Sequence, residues 1–168
     1  MTTSLHDVSV RSFINGLRSL GLFLEKGRLY ADETGLDHAD LLGSRLEADM
    51  MSLKQQVQRA SDTAKIACVR VAGVENVPMP DSEETFADLQ QRIAATVAFL
   101  ETVPREAMDA HADAELPWKT TLTSRSFTGR SYILEFSVPN FFFHITTAYA
   151  LLRHAGVPLG KIDYLGWR

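Results

Sequence analysis

Residues 139–166 read Pro-Asn-Phe-Phe-Phe-His-Ile-Thr-Thr-Ala-Tyr-Ala-Leu-Leu-Arg-His-Ala-Gly-Val-Pro-Leu-Gly-Lys-Ile-Asp-Tyr-Leu-Gly. This is one helix with its exit loop. Phe141, Phe142 and Phe143 cover nearly three sides of a turn, so the helix is expected to be enclosed by its own bundle or by a partner chain. Gly156 is placed to end it in the left-handed region, and Pro158 cannot continue it. Its start is open: near Ser131 with a bend at Pro139, or only at Asn140. Val138 precedes a proline, which disfavours the helical region and marks a kink or a boundary. The tail to Arg168 is expected to pack on the body, because Tyr164, Leu165 and Trp167 are poor residues for a free end.

Working back from this helix, three more apolar stripes at helical spacing appear. Val10, Phe13, Ile14, Leu17, Leu20 and Leu24 make the first, ending before Gly35, with Gly16 and Gly21 inside it as points of close helix approach. Leu46, Met50, Leu53, Val57, Ala60, Ala64, Ala67 and Val71 make the second, closed by Gly73. Asp37 is placed to cap a short preliminary turn broken at Gly43. A two-proline linker, Val74 to Pro80, follows. Phe86, Leu89, Ile93, Val97 and Leu100 make the third stripe, with Asp81 and Glu84 at capping-box spacing before it and Pro104 after it. Arg105 to Glu115 reads as a short exposed helical turn. The Thr- and Ser-rich run Lys119 to Thr128 reads as an extended excursion, a strand or small hairpin, ended by Gly129. Four such stripes give an all-α fold: a four-helix bundle with a long connection before the last helix, expected as a single domain over residues 1–168.

Composition limits the function classes. With 45% hydrophobic and 23% charged residues the chain can build a core of its own. A net charge of −4 and scattered basic residues argue against a nucleic-acid-binding surface. No apolar run approaches the ~20 residues of a membrane span. The first residues, Met-Thr-Thr-Ser-Leu-His-Asp, show no charged-then-apolar leader. Cys68 is alone, so no intramolecular disulfide forms, and a cytoplasmic setting is expected. It lies in an apolar helical stretch without basic neighbours and is read as a structural thiol.

The residues able to do chemistry are few. His144 and His154 stand ten positions apart, about 80° apart in azimuth and ~15 Å along a helix, too far to share a metal. The positions four before and four after His144 are Asn140 and Ala148, so no His-x-x-x-His pair exists. His154, beside Arg153, faces the negative end of the helix dipole. For His144 the favoured reading is a histidine hydrogen-bonded to another helix, with a pocket-facing role open beside it. Asp49 and Gln56 flank the apolar seam of the second helix two turns apart; they either reach His144 across the bundle or only edge the seam. Asp109, Asp113 and Glu115 read as a solvated charge run. No nucleophile elbow, phosphate-binding glycine loop or Cys-Cys spacing occurs.

The run from Pro139 to Gly166, with its Pro-Asn-Phe-x-Phe-His, Thr-Ala-Tyr, Leu-Arg and Gly-Val-Pro-Leu-Gly-Lys elements, resembles the signature of the DUF1993 family. Leu46 to Gly73, with Asp49-Met50, Leu53 and Gln56-Val57-Gln58, is similar to that family too. The family is similar in turn to the DinB/YfiT-like metalloenzyme superfamily. That resemblance implies a DinB-like bundle, often dimeric. It also implies a metal held by one histidine of the second helix and two of the last, with transferase or hydrolase activity in the better-known branches. Counting back from Leu152-Arg153, His144 falls on the second histidine of the last helix and Asn140 on the first, while Gln56 falls near the histidine of the second helix. Two of three ligands are thus replaced by amides, poorer partners than imidazole for Zn²⁺ or Ni²⁺. The expectation is a metal-free protein, a homodimer, binding a small molecule or serving a structural role around His144, Asn140, Gln56 and Asp49. The alternative is a DinB-like enzyme with a divalent metal or with His144 as acid or base.

Overall fold

A computed structural model describes residues 3–119 and 124–167. The elements in chain order are α1 (Leu5–Val8), α2 (Val10–Thr34), α3 (His38–Gly43), α4 (Leu53–Ala72), α5 (Phe86–Glu101), α6 (Arg105–Ala110), strands β1 (Glu115–Lys119) and β2 (Ser124–Thr128), α7 (Gly129–Ser131), a π-helical segment (Tyr132–Ser137), α8 (Val138–His154) and α9 (Lys161–Leu165). The four long helices close a ring in which α2 packs on α5, α5 on α4, α4 on α8 and α8 on α2. The all-α bundle read from the four stripes is what the chain forms.

Each long helix follows from its sequence. In α2, the residues Phe13, Leu17, Leu20 and Leu24 are fully buried, and Gly35 ends the helix in the left-handed region. Gly16 lets α8 come close: a Cβ there would stand 2.5 Å from Cε1 of Phe141, whose ring meets Phe13 edge-on at 4.9 Å. The seam of α4 runs through Val57, Ala60, Ala64 and Ala67, and these small side chains let α5 and α8 pack tightly on it. Cys68 is buried in this seam and its thiol is pushed up to about 12 by desolvation, which suits the inert, structural reading.

Two expectations for helix starts need correction, and one holds. The second helix does not begin at Leu46. Ser52 caps it in a Ser-x-x-Gln box with Gln55, so α4 starts at Leu53 and leaves Leu46 and Met50 in the preceding loop. Asp37 does cap the preliminary turn, α3, by accepting from the amides of Ala39 and Asp40. The third helix is capped by Thr85 and Asp88 rather than by Asp81 and Glu84. Asp81 instead pairs with Arg59 and Arg92.

That displaced aspartate, itself exposed, belongs to an ionic cluster around buried Arg92 that holds the two-proline linker against α4 and α5. Arg92 donates to Glu83 and Asp62, each at 2.8 Å, and to Ser61 Oγ at 3.1 Å. Gln58 donates to the second Glu83 oxygen at 2.8 Å, and Lys65 donates to the Val77 carbonyl at 2.8 Å. The hydrogen bonds from Gln58 and Arg92 hold the Glu83 carboxyl below its usual range against desolvation.

The long connection contains the α6 turn and an antiparallel hairpin in which Glu115 pairs with Thr128 and Pro117 with Ser126. Residues 120–123 of the expected extended run lie outside the described residues. Asp109 is not part of a solvated charge run. Its carboxylate accepts from Ser4 Oγ and the amides of Leu5 and His6, capping α1 from across the chain.

Of the two starts weighed for the last helix, the earlier one holds. Helical backbone runs from Gly129 through the π segment into α8, and Val138 stays helical (φ −65°, ψ −50°) although a proline follows. The π turn explains this. Pro139 has no amide to donate to the carbonyl four residues back and would clash with it in a tight helix. Bonding five residues back, as Val138 does to Ile133, widens the turn at this point. The tail folds into α9, where Tyr164 stacks on Phe23 and meets Tyr149 edge-on. Trp167, expected to pack as well, is 67% exposed.

Candidate functional site

The π segment and α8 place Tyr132, Phe136, Asn140 and His144 four residues apart along one line of the same continuous helix. Opposite them α4 presents Gln56, Arg59, Thr63, Ile66 and Arg70. These repeat the steps of three and four of the buried seam, displaced by one residue. Between the two lines lies a cavity of about 290 Å³ walled by Arg59, Asp62, Thr63, Ile66, Arg70, Tyr132, Phe136, Asn140 and His144.

His144, in the cavity wall, meets Gln56 behind it. His144 is 8% exposed and Gln56 1%. Nδ1 of the ring and Oε1 of the amide are 2.7 Å apart. The Gln56 amide nitrogen is engaged, donating to the Met51 carbonyl at 3.0 Å, so its oxygen is what faces the imidazole. Nδ1 therefore carries the proton and donates. In the neutral ring Nε2 is then the acceptor. Burial, with the positive charge of Arg59 adding to it, holds the His144 pKa down to about 4, and the ring is neutral at pH 7.

Asn140 sits one turn earlier, half-buried, and its Nδ2 donates to Thr63 Oγ1 on α4 at 2.9 Å. Arg59 pairs with Asp62 at 3.3 Å and with Asp81. Arg70 lies 5.2 Å from the centre of the Tyr132 ring and donates to the Pro117 carbonyl at 2.8 Å. Tyr132 and Phe136 stack with ring centres 5.4 Å apart. Of the four residues expected to mark the site, the structure brings together His144, Gln56 and Asn140. Asp49 lies elsewhere: it is exposed in the loop before α4, because Ser52 starts the helix after it. His154 is exposed in the last turn of α8, as its place beside the dipole's negative end requires.

The family model for DUF1993, a domain of unknown function, matches residues 5–165. The chain belongs to the DUF1993 family. Among solved structures, a DinB family member protein from Shewanella denitrificans is similar to this DUF1993 chain. It is 38% identical over 98% of this chain and 93% of its own, with a TM-score of 0.90. A comparison with curated proteins returned no match.

The divalent metal implied by the DinB resemblance does not fit the donors present. Nδ1–H of His144 donates to Gln56 Oε1, which leaves Nε2 as the one imidazole lone pair of the pair, and beside it stand amides, whose oxygens are weak ligands for Zn²⁺ or Ni²⁺. The Arg59 guanidinium borders the same cavity and opposes a second cation. Among the described residues no three His, Cys, Asp or Glu side chains group as a ligand set. The arrangement suits hydrogen-bonded recognition of a small molecule: a neutral histidine acceptor, the Asn140 amide, two guanidinium groups and an aromatic wall.

The sequence reading missed Arg59, Thr63, Arg70, Tyr132 and Phe136. The signal was there in the stripe one residue behind the α4 seam, and in the spacing of four back from His144 through Asn140 to Phe136 and Tyr132.

Proposed function

We propose that this protein is a metal-free binding protein of the DinB-like fold, working as a cytoplasmic homodimer, whose pocket around His144 takes a small organic molecule. The observation that carries this reading is the donor set around His144: two amides, Gln56 and Asn140, stand with a single imidazole, and among the described residues no three His, Cys, Asp or Glu side chains group together. The bond from His144 Nδ1 to Gln56 joins two of the positions that correspond to metal ligands in the resembling superfamily and leaves His144 Nε2 as an acceptor for a bound molecule. Dimerisation is supported by the apolar surface beside the pocket: Phe143 is 54% exposed on α8 and Leu46 stands near it, a poor arrangement to leave in water.

The second reading, an enzyme at the same pocket, is favoured by one observation. A neutral histidine with Nε2 as acceptor is equipped to take a proton from a bound substrate. A metal-dependent form of that reading draws no support from the donors present.

Metal content of protein produced with zinc and nickel in the medium tests the proposal. Well under one metal per chain is expected, with no difference between the native protein and His144→Ala. Close to one metal per chain, lost in His144→Ala, would overturn it.

A further inference from the structure

The cavity has a chemical polarity that names a class of ligand, on the reading that it is a metal-free binding site. Two guanidinium groups border it, and among the described residues only Asp62 offers a carboxylate. That carboxylate is shared with Arg92 at 2.8 Å and Lys65 at 3.8 Å as well as Arg59. Among the described residues no carboxylate pairs with Arg70. One of its nitrogens donates to Pro117, and its planar fork, held near the Tyr132 ring, keeps further N–H groups for an anion. Tyr132 and Phe136, stacked through the π segment, make a flat wall on the same side. At the far end His144 Nε2 is an acceptor, fixed as such by the bond of Nδ1 to Gln56. A volume of about 290 Å³ lies just below the roughly 300–1,000 Å³ of small-molecule sites, so the occupant is compact.

We propose that the cavity binds a small aromatic monocarboxylate bearing a hydroxyl group, with its carboxylate on Arg70, its ring along Phe136 and its hydroxyl donating to His144 Nε2. A cation is disfavoured by the two guanidiniums, and an aliphatic acid leaves the aromatic wall unused.

Calorimetric titration of the native chain with 4-hydroxybenzoate, and with 4-hydroxybenzamide as its uncharged counterpart, tests this. The acid is expected to bind at least tenfold more tightly than the amide. Arg70→Gln, checked for a native-like thermal transition, is expected to lose tenfold or more of the affinity for the acid and little for the amide, and Arg70→Lys to recover part of it. The ¹⁵N signal of His144 Nε2 is expected to move on addition of the acid. Equal binding of acid and amide, no binding of the acid at millimolar concentration, or an Arg70→Gln affinity like the native one would each overturn the proposal. Should Arg70→Gln fail to fold, the acid-against-amide comparison decides alone. A stoichiometric metal on His144 would instead bring down the reading beneath it, so the two failures are distinct.

Discussion

Gln56 and His144, 88 positions apart in sequence, share a 2.7 Å hydrogen bond between two long helices of the bundle. The amide holds the imidazole in one tautomer, and the loop before α4 holds the amide through the Met51 carbonyl. Breaking this pair from the Gln56 side leaves a buried N–H on His144 without its acceptor. Gln56→Leu is therefore expected to lower stability by about 1–3 kcal/mol, read by denaturant unfolding. Gln56→Glu should instead raise the His144 pKa above about 4, since a carboxylate facing Nδ1 favours the imidazolium.

The same burial makes stability depend on pH with a definite sign. The His144 pKa is about 4 in the folded chain against an ordinary 6.5, so below pH 6.5 the unfolded state binds the proton more readily. Its contribution is complete above pH 6.5, is lost as pH falls from 6.5 to about 4, and is constant below that. The change is up to about 3 kcal/mol at one pKa unit per about 1.4 kcal/mol. The difference in unfolding free energy between the native chain and His144→Gln should carry this slope. A difference flat between pH 6.5 and 4 would contradict it. The lowered carboxyl of Glu83 adds a loss in the same direction, but only as pH falls below the ordinary carboxyl range near 4.5.

Close approach of α2 and α8 depends on Gly16. Gly16→Ala gains up to about 1 kcal/mol of helix propensity but puts a methyl 2.5 Å from a ring atom of buried Phe141. Overpacking of a filled core costs about 1–3 kcal/mol, so the variant is expected to be less stable. Thermal unfolding would show it, and a rise in Tm would mean that the helices separate without cost.

Arg92 is the centre of the ionic cluster and its side chain is 1% exposed. Arg92→Met leaves Glu83 buried beside Gln58 alone, at an expected cost of about 3–5 kcal/mol. The double variant with Glu83→Gln should recover part of that loss. Single and double variants equal in stability would show that the cluster is not coupled.

Much of this architecture was legible because apolar spacing reports burial directly. The stripe from Val10 to Leu24 and the stop at Gly35 needed nothing beyond periodicity and the left-handed region. Leu46 and Met50 misled because they continued the rhythm of α4, while the local capping of Ser52 with Gln55 decided where the helix starts. Asp81 misled for the opposite reason: its spacing suited a cap, but Arg59 and Arg92, distant in sequence, claimed it. The π turn before Pro139 was legible only as a choice between kink and boundary, since whether the chain widens or breaks depends on packing against α4. For the candidate site, His144 and Asn140 stood out as polar residues in an aromatic helix. Arg70 and Thr63 did not, because a polar stripe edging a seam reads the same whether it meets a cavity or solvent.

The central claim is that His144 is a neutral acceptor held by Gln56 rather than a ligand to a metal. The ¹⁵N spectrum of its imidazole, followed from neutrality to below pH 4 with and without one equivalent of Zn²⁺, tests this directly. The account expects a protonated Nδ1 and an unprotonated Nε2 at neutral pH, a midpoint near 4, and no change with zinc. A midpoint near 6.5, or an Nε2 signal displaced stoichiometrically by zinc, would contradict it.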